Sequence, residues 1–283
     1  MAKPPAASTQ TALPTPDGLP EVPPAVLLDV LPGSPPSEQP TEHHQPDAHH
    51  LTQALAQDIA QRLTAAVAAR GVALLAVSGG KSPVALFEAL AAHPQLAKLW
   101  PHMTVLLVDE RCVPFAHPDS NARLVREHLL QGAAVAAHWV PLVDGDWAPL
   151  APGQAMSDAQ HLQQLAETRL AALPWPLDVV VLGMGLDAHT ASLFPGAPGL
   201  DEALTTPARC AWVLPDAERN QAHHPRITLS LASLLAARHL CLPLSGAAKH
   251  RVYAQALAGA TPERPISLLL CQTHNPVAVW LSP

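Results

Sequence analysis

Asp178-Val-Val-Val-Leu-Gly-Met-Gly-Leu-Asp-Ala-His189 is the stretch on which the architecture turns. Its first half is apolar at every position rather than at alternate ones. A strand of that kind has both faces buried, as in a parallel sheet with helices over it. Its second half is a glycine-rich loop that ends in a carboxylate and an imidazole. In open α/β sheets, ligands bind beyond the carboxyl ends of the strands, so such a loop is where chemistry belongs.

The same alternation extends in both directions. Leu51, Leu55, Ile59, Leu63 and Val67 recur every fourth residue, which predicts a helix over 51–69 that ends at Gly71. Apolar runs at Val72–Val77, Val105–Val108, Arg226–Leu231, His239–Leu244, Ile266–Leu270 and Val277–Leu281 read as further strands. Pro83–Ala92, Asn121–Leu130, Ala155–Leu173, Leu231–Ala237 and Ala247–Leu257 read as helices. The pattern predicts one α/β domain over residues 46–283, a doubly wound and mostly parallel sheet with helices on both faces. Residues 1–45 differ. Twelve of the first fifty residues are proline. Proline removes backbone donors, so a disordered, Pro-rich tail is expected there, with Ala25–Leu31 as its one apolar stretch.

Composition narrows the function classes. The 283 residues carry a net charge of −7 and only 14% charged residues. That balance argues against broad nucleic-acid binding, which needs a basic surface. No apolar run is long enough to span a membrane, and Met1-Ala2-Lys3-Pro4-Pro5 lacks the character of a secretory signal. The four cysteines are scattered with no CxxC pair, which reads as reduced thiols in a cytoplasmic protein. A monomer or small homo-oligomer acting on a small molecule is expected, with no nucleic-acid or membrane partner.

Four loops concentrate polar residues at strand ends. Val77-Ser78-Gly79-Gly80-Lys81-Ser82-Pro83 can bring backbone N–H groups and hydroxyls against an anion. It is not a nucleotide P-loop, because Leu75 stands where that motif needs its first glycine. Val108-Asp109-Glu110-Arg111 continues to His117-Pro118-Asp119-Ser120-Asn121. Arg111 can fork onto a phosphate or close an internal salt bridge with Asp109 or Glu110, and Asp119-Ser120-Asn121 can cap a helix. In the third loop, Gly183, Gly185 and Ala188 fit a dinucleotide fingerprint, but Pro195 and Gly196 interrupt the long helix that such a site requires. His189, two residues after Asp187, is the stronger signal for acid–base chemistry. The fourth group pairs Arg226 with Lys249, which follows the strand-ending Ser245-Gly246. The histidines and cysteines lack zinc-ligand spacing, so neither metal nor organic cofactor is expected.

Taken together, Leu75–Pro83, Val108–Arg111 with His117–Asn121, Leu182–Gly196, and Arg226-Ile-Thr-Leu229 with Ser245–Lys249 resemble the 6-phosphogluconolactonase family over residues 47–283. The resemblance implies the fold of the sugar-phosphate isomerases. It also implies hydrolysis of 6-phosphoglucono-δ-lactone to 6-phosphogluconate, a step of the oxidative pentose phosphate pathway, without a cofactor. His189 would be the general base and Asp187 its orienting partner. Ser78, Gly79, Gly80, Ser82, Asp109, Arg111, Asn121, Arg226 and Lys249 would bind the phosphate and sugar. Two departures stand out: Ala188 replaces a usual glycine, and Lys81-Ser82-Pro83 replaces a motif closer to Ser-Thr-Pro. Two other readings are an amino-sugar-phosphate isomerase or deaminase of the same fold and a non-catalytic sugar-phosphate-binding protein. Ala188 is what suggests the second. Against the first, the isomerases resemble Gly-His-Ile-Ala-Phe-Asn-Glu at Ala188–Phe194, and this chain lacks that carboxylate.

Overall fold

The computed structural model describes residues 40–144, 155–220, 222–272 and 275–283. Ala25–Leu31 and the rest of residues 1–39 lie outside the described span. Ten strands are described: β1 (Thr41–His44), β2 (Ala73–Val77), β3 (Met103–Leu107), β4 (Asp109–Arg111), β5 (His138–Val140), β6 (Val179–Val181), β7 (Cys210–Val213), β8 (Arg226–Leu229), β9 (Leu240–Ser245) and β10 (Ala278–Ser282). Seven of them form a sheet in the order β1-β10-β9-β6-β2-β3-β5. Every pairing in it is parallel. Strands β2, β3 and β6 are buried or nearly so along their length, as their unbroken apolar sequences require.

The chain winds outward from β2 through β3 to β5, then returns to β6 on the other side of β2 and winds outward through β9 to β10. The direction of winding therefore reverses between β2 and β6. That reversal is the point where neighbouring strand ends splay and leave a crevice. The loop after β2 begins at Ser78 and the loop after β6 runs through Gly183 and Gly185, so the topology alone brings these two glycine loops side by side.

Helix α1 (Ala48–Arg70) is 23 residues long. At 1.5 Å per residue it is about 35 Å long, enough to cross several strands, and it packs against β2, β6, β9 and β10. Leu55, Ile59 and Leu63, the residues that predict it, are fully buried. Asp47 caps its first turn by accepting from the His50 amide, and Gly71, at φ 77°, ends it in the left-handed conformation. The shorter helices are α2 (Val84–Ala91), α3 (Asn121–His128), α4 (Ala155–Ala171), α5 (Leu200–Thr205), α6 (Ala217–Asn220), α7 (Leu231–Leu235), α8 (Ala247–Ala256) and α9 (Ile266–Leu270).

Three differences from the sequence reading have physical causes. First, Arg226–Leu229 does not join the parallel sheet. It is the middle strand of a second, antiparallel sheet in the order β4-β8-β7. Val108 is the pivot. Its amide donates to Val77 in the large sheet, and its carbonyl accepts from Leu229 in the small one. Second, Ile266–Leu270 is helix α9, not a strand. A five-residue apolar run buried on all sides carries no period, and Pro265 directly before it is preorganised to start a helix. Third, the folded body starts before residue 46, because Thr41–His44 adds a parallel edge strand to β10. Its sequence, Thr-Glu-His-His, carries no apolar signal.

Candidate active site

Each glycine loop is built around a close approach. A Cβ added to Gly185 would lie 2.1 Å from Nδ1 of His189 and 2.2 Å from Oδ1 of Asp187. The absent side chain makes room for a carboxylate–imidazole pair whose Nδ1–Oδ1 separation is 2.5 Å. Burial alone would raise the Asp187 carboxyl. The hydrogen bond and positive character of His189 outweigh that and hold it below its ordinary value. An ionised Asp187 keeps the imidazole proton on Nδ1 and leaves the Nε2 lone pair free. The carbonyl of His189 accepts from the Gly185 amide at 2.9 Å, which closes the loop on itself. Ala188 at its apex has φ 64° and is almost fully buried. This apex takes the left-handed conformation that glycine adopts most readily, and alanine adopts it here.

In the first loop, Ser78 is buried and donates to the Val181 carbonyl at 3.0 Å, tying β2 to β6 at the switch point. A Cβ on Gly79 would sit 1.9 Å from Asn121 Oδ1. Asn121, first residue of α3, donates from Nδ2 to the Asp109 carbonyl at 3.0 Å. Loops one and two therefore interlock through this contact.

In the second loop the three charges separate by role. Glu110 faces inward, 2% exposed, and accepts from the amides of Arg111, Asn121 and Ala122 at 2.6, 2.9 and 2.6 Å. Burial pushes its carboxyl up to about 7 while those amides pull it down. Asp109 accepts from the Ser192 hydroxyl at 2.6 Å. Neither carboxylate takes the Arg111 guanidinium, so the internal salt bridge is not formed. Arg111 donates instead to the Asp119 carbonyl. Arg111 on β4 and Arg226 on β8 are directly opposed cross-strand residues. Like charges so placed repel, and Arg226 is 6% exposed. Burial, then the neighbouring Arg111, lowers the Arg226 guanidinium to about 10. The Nε atoms of both arginines are buried without a partner among the described residues.

Lys249 comes from the first turn of α8, which opens at Gly246 with φ 91°. A cation there opposes the helix dipole. Its ammonium donates to the Met184 carbonyl in the glycine loop. Burial lowers it, and the negative Asp187 acts in the other direction.

Ser78, Gly79, Gly80, Ser82, Asp109, Arg111, Asn121, His189, Arg226 and Lys249 all line one cleft of about 870 Å³ at the switch point. Asp187 stands behind His189. Several further residues contribute to the cleft without a signal of their own in the sequence. Phe194 packs its ring against His189, with centroids 4.4 Å apart, and beneath the Arg226 guanidinium at 5.8 Å. Asn220, Ser245 and His49 also line the cleft. Phe194 lay within the third motif, but an apolar residue in a polar loop reads as packing. Asn220 and His49 stand on helices with no local motif.

A family model described as glucosamine-6-phosphate isomerases/6-phosphogluconolactonase matches residues 46–280. A 6-phosphogluconolactonase of Mesorhizobium japonicum is 44% identical over 238 residues, covering 84% of this chain and 93% of that one. One of Pseudomonas aeruginosa is 45% identical over 208 residues, covering 72% and 79%. The crystal structure of a 6-phosphogluconolactonase from Shewanella baltica superposes with a TM-score of 0.78 at 38% identity, covering 88% of this chain and all of that one. With its motifs in order and its loops meeting at one switch point, the chain belongs to the glucosamine-6-phosphate isomerase/6-phosphogluconolactonase family.

Proposed function

We infer that this protein is a 6-phosphogluconolactonase, hydrolysing 6-phosphoglucono-δ-lactone to 6-phosphogluconate in the oxidative pentose phosphate pathway. One observation carries the reading. An imidazole with its proton held by Asp187 stands in the same cleft as two opposed arginines that have no carboxylate partner among the described residues. That pairs a base with an anion site.

A lactone is an activated ester, and its hydrolysis needs a more nucleophilic water, a favourable field for the tetrahedral oxyanion, and a proton for the leaving ring oxygen. Nε2 of His189 takes the water proton as the oxygen attacks the carbonyl carbon. Asp187 stabilises the resulting imidazolium. The same proton then passes to the ring oxygen as the C–O bond breaks. Arg111, Arg226 and Lys249, with the Ser78–Ser82 loop and Asn121, hold the 6-phosphate and so fix the carbonyl near His189. Asp109 orders the third loop through Ser192.

The isomerase alternative requires a carboxylate five residues after the histidine. That position is Phe194, whose ring lies against His189. Among the described residues no helix is long and apolar enough to cross a membrane. The four cysteines are buried free thiols, which suits a reducing, cytoplasmic setting. Residues 46–283 act as the catalytic domain in this reading, with the sheet completed by β1.

The test is a lactonase assay on freshly generated substrate, corrected for spontaneous hydrolysis. The wild-type chain accelerates the reaction. His189→Ala lowers turnover by about 100-fold or more with the fold unchanged. Near-normal turnover in that variant would remove His189 from the mechanism.

A further inference from the structure

His117, Asp119 and His224 form a second cluster of chemically capable groups, at the outer end of the second loop. His117 and Asp119 precede α3, and His224 precedes β8, 105 residues further along than Asp119. Their ligand atoms all lie within 4.8 Å of one another. His224 Nε2 is 2.9 Å and His117 Nδ1 is 3.9 Å from Oδ2 of Asp119. The two rings meet edge to face, with centroids 5.2 Å apart.

We propose that His117, Asp119 and His224 form a binding site for a divalent transition-metal ion such as Zn²⁺, outside the cleft lining and separate from the catalytic pair. Two imidazoles and one carboxylate are a ligand set suited to borderline ions, and such sites leave remaining positions to water. Bonds of about 2.0–2.2 Å place neighbouring donors about 3.3–3.6 Å apart in a tetrahedral site. The pair at 2.9 Å must open by about 0.5 Å, the pair at 3.9 Å must close by about as much, and the two imidazole nitrogens, no more than 4.8 Å apart, must close by about 1.5 Å at most. Both imidazoles are part-exposed, and Asp119 is more exposed still, so that closure meets little packing.

The protonation pattern also suits a metal. The Asp119 amide donates to His117 Nδ1 at 3.1 Å, so this nitrogen carries a lone pair rather than a proton, and the amide now holds it. The ion takes that lone pair and releases the amide to water. His224 shifts its proton from Nε2 to Nδ1 and coordinates through Nε2, with no net proton change. The Arg111 guanidinium contacts the Asp119 carbonyl and that of Arg123 the Pro118 carbonyl, so neither takes the Asp119 carboxylate, whose partner is His224. A buried alternative cluster, Asp58, His239 and Cys241, is less suited. Arg62 already occupies Asp58 at 2.8 Å, and burial raises the Cys241 thiol far above its ordinary value.

The experiment is calorimetric titration of the full, tag-free, chelator-treated chain with Zn²⁺ alone at pH 7.5. The expected result includes a saturable one-to-one event that weakens by about tenfold or more in both His117→Ala and His224→Ala and survives in His189→Ala. Circular dichroism checks that the variants are folded. Absence of a saturable event, wild-type affinity retained in either histidine variant, or loss of the event in His189→Ala would each overturn the proposal. None of these readouts depends on lactonase activity.

Discussion

At the scale of single residues, the catalytic pair depends on an atom that is missing. Gly185 is not in the left-handed region, so its requirement is purely one of space. Gly185→Ala would place a methyl where the His189 ring and the Asp187 carboxylate now sit. The pair must separate, and turnover should fall by about 100-fold, the size of a lost general base, with little change in melting temperature. A steady-state assay beside a thermal melt checks both. Ala188 presents the opposite case. Its left-handed backbone costs an L-residue about 1–2 kcal/mol. Replacing it with glycine relieves that strain. The substitution also loses a buried methyl worth about 0.8 kcal/mol and loosens the unfolded chain by about 0.4–1 kcal/mol. The terms cancel, so Ala188→Gly should leave the melting temperature within about 2 °C and turnover within about twofold. A large gain in turnover would show that the alanine displaces His189.

At the scale of elements, the antiparallel pair β4–β8 sets function against stability. Two opposed arginines, one of them buried, are an arrangement that an empty protein would be more stable without. Arg226→Met removes the guanidinium that lies over Phe194 and puts an uncharged side chain of similar reach in its place. The unliganded variant should melt at or above the wild-type temperature. Its KM for the phosphorylated lactone should rise about tenfold to a hundredfold, the worth of one charge-assisted contact of about 1.5–3 kcal/mol. A fall in both melting temperature and affinity would make Arg226 a structural residue. The same strand shows what was legible in advance. That Arg226 opens a strand after a polar loop is written in Arg-Ile-Thr-Leu. That the strand leaves the parallel sheet is not, because partner choice depends on Val108 bonding to two sheets at once. The long helix with its four-residue period and the strands ending in glycine loops are legible because their periods and turn residues are local. The short strands β5 and β7 and the helix at Ile266–Leu270 are not, because their state is decided by what packs around them. The site followed the same rule. His189, Asp187 and the basic residues announce themselves by type and position, whereas Phe194 gains its place only when the third loop folds back beside Arg226.

At the scale of the molecule, the sheet has an edge that the apolar pattern does not reveal. Strand β10 is covered on its outer side by β1, through the Thr41 amide to Val277 at 3.1 Å and the Gln45 amide to Leu281 at 2.8 Å. Trp280 is 5% exposed and has His43 stacked on it, with ring centroids 4.2 Å apart. The Tyr253 hydroxyl donates to Glu42 at 2.9 Å, which ties β1 to α8 as well. All the cleft residues lie at or after Ala48, so neither truncation of the chain before that point removes a catalytic or phosphate-binding group. Two truncations separate the contributions. Deleting residues 1–39 keeps β1, and specific activity should stay within about twofold, since terminal segments contribute little unless tied down. Deleting residues 1–45 removes β1, bares the edge of β10 and uncovers Trp280. A loss of about 2 kcal/mol at this chain length corresponds to a melting temperature lower by about 4–8 °C. An uncovered parallel strand also invites edge-to-edge association, so the shorter protein should aggregate at concentrations where the longer one does not. Turnover measured well below the melting transition should be the same for both. Equal melting temperatures would mean that β1 contributes nothing to the sheet. An activity loss without a stability loss on deleting residues 1–39 would place part of that segment at the cleft.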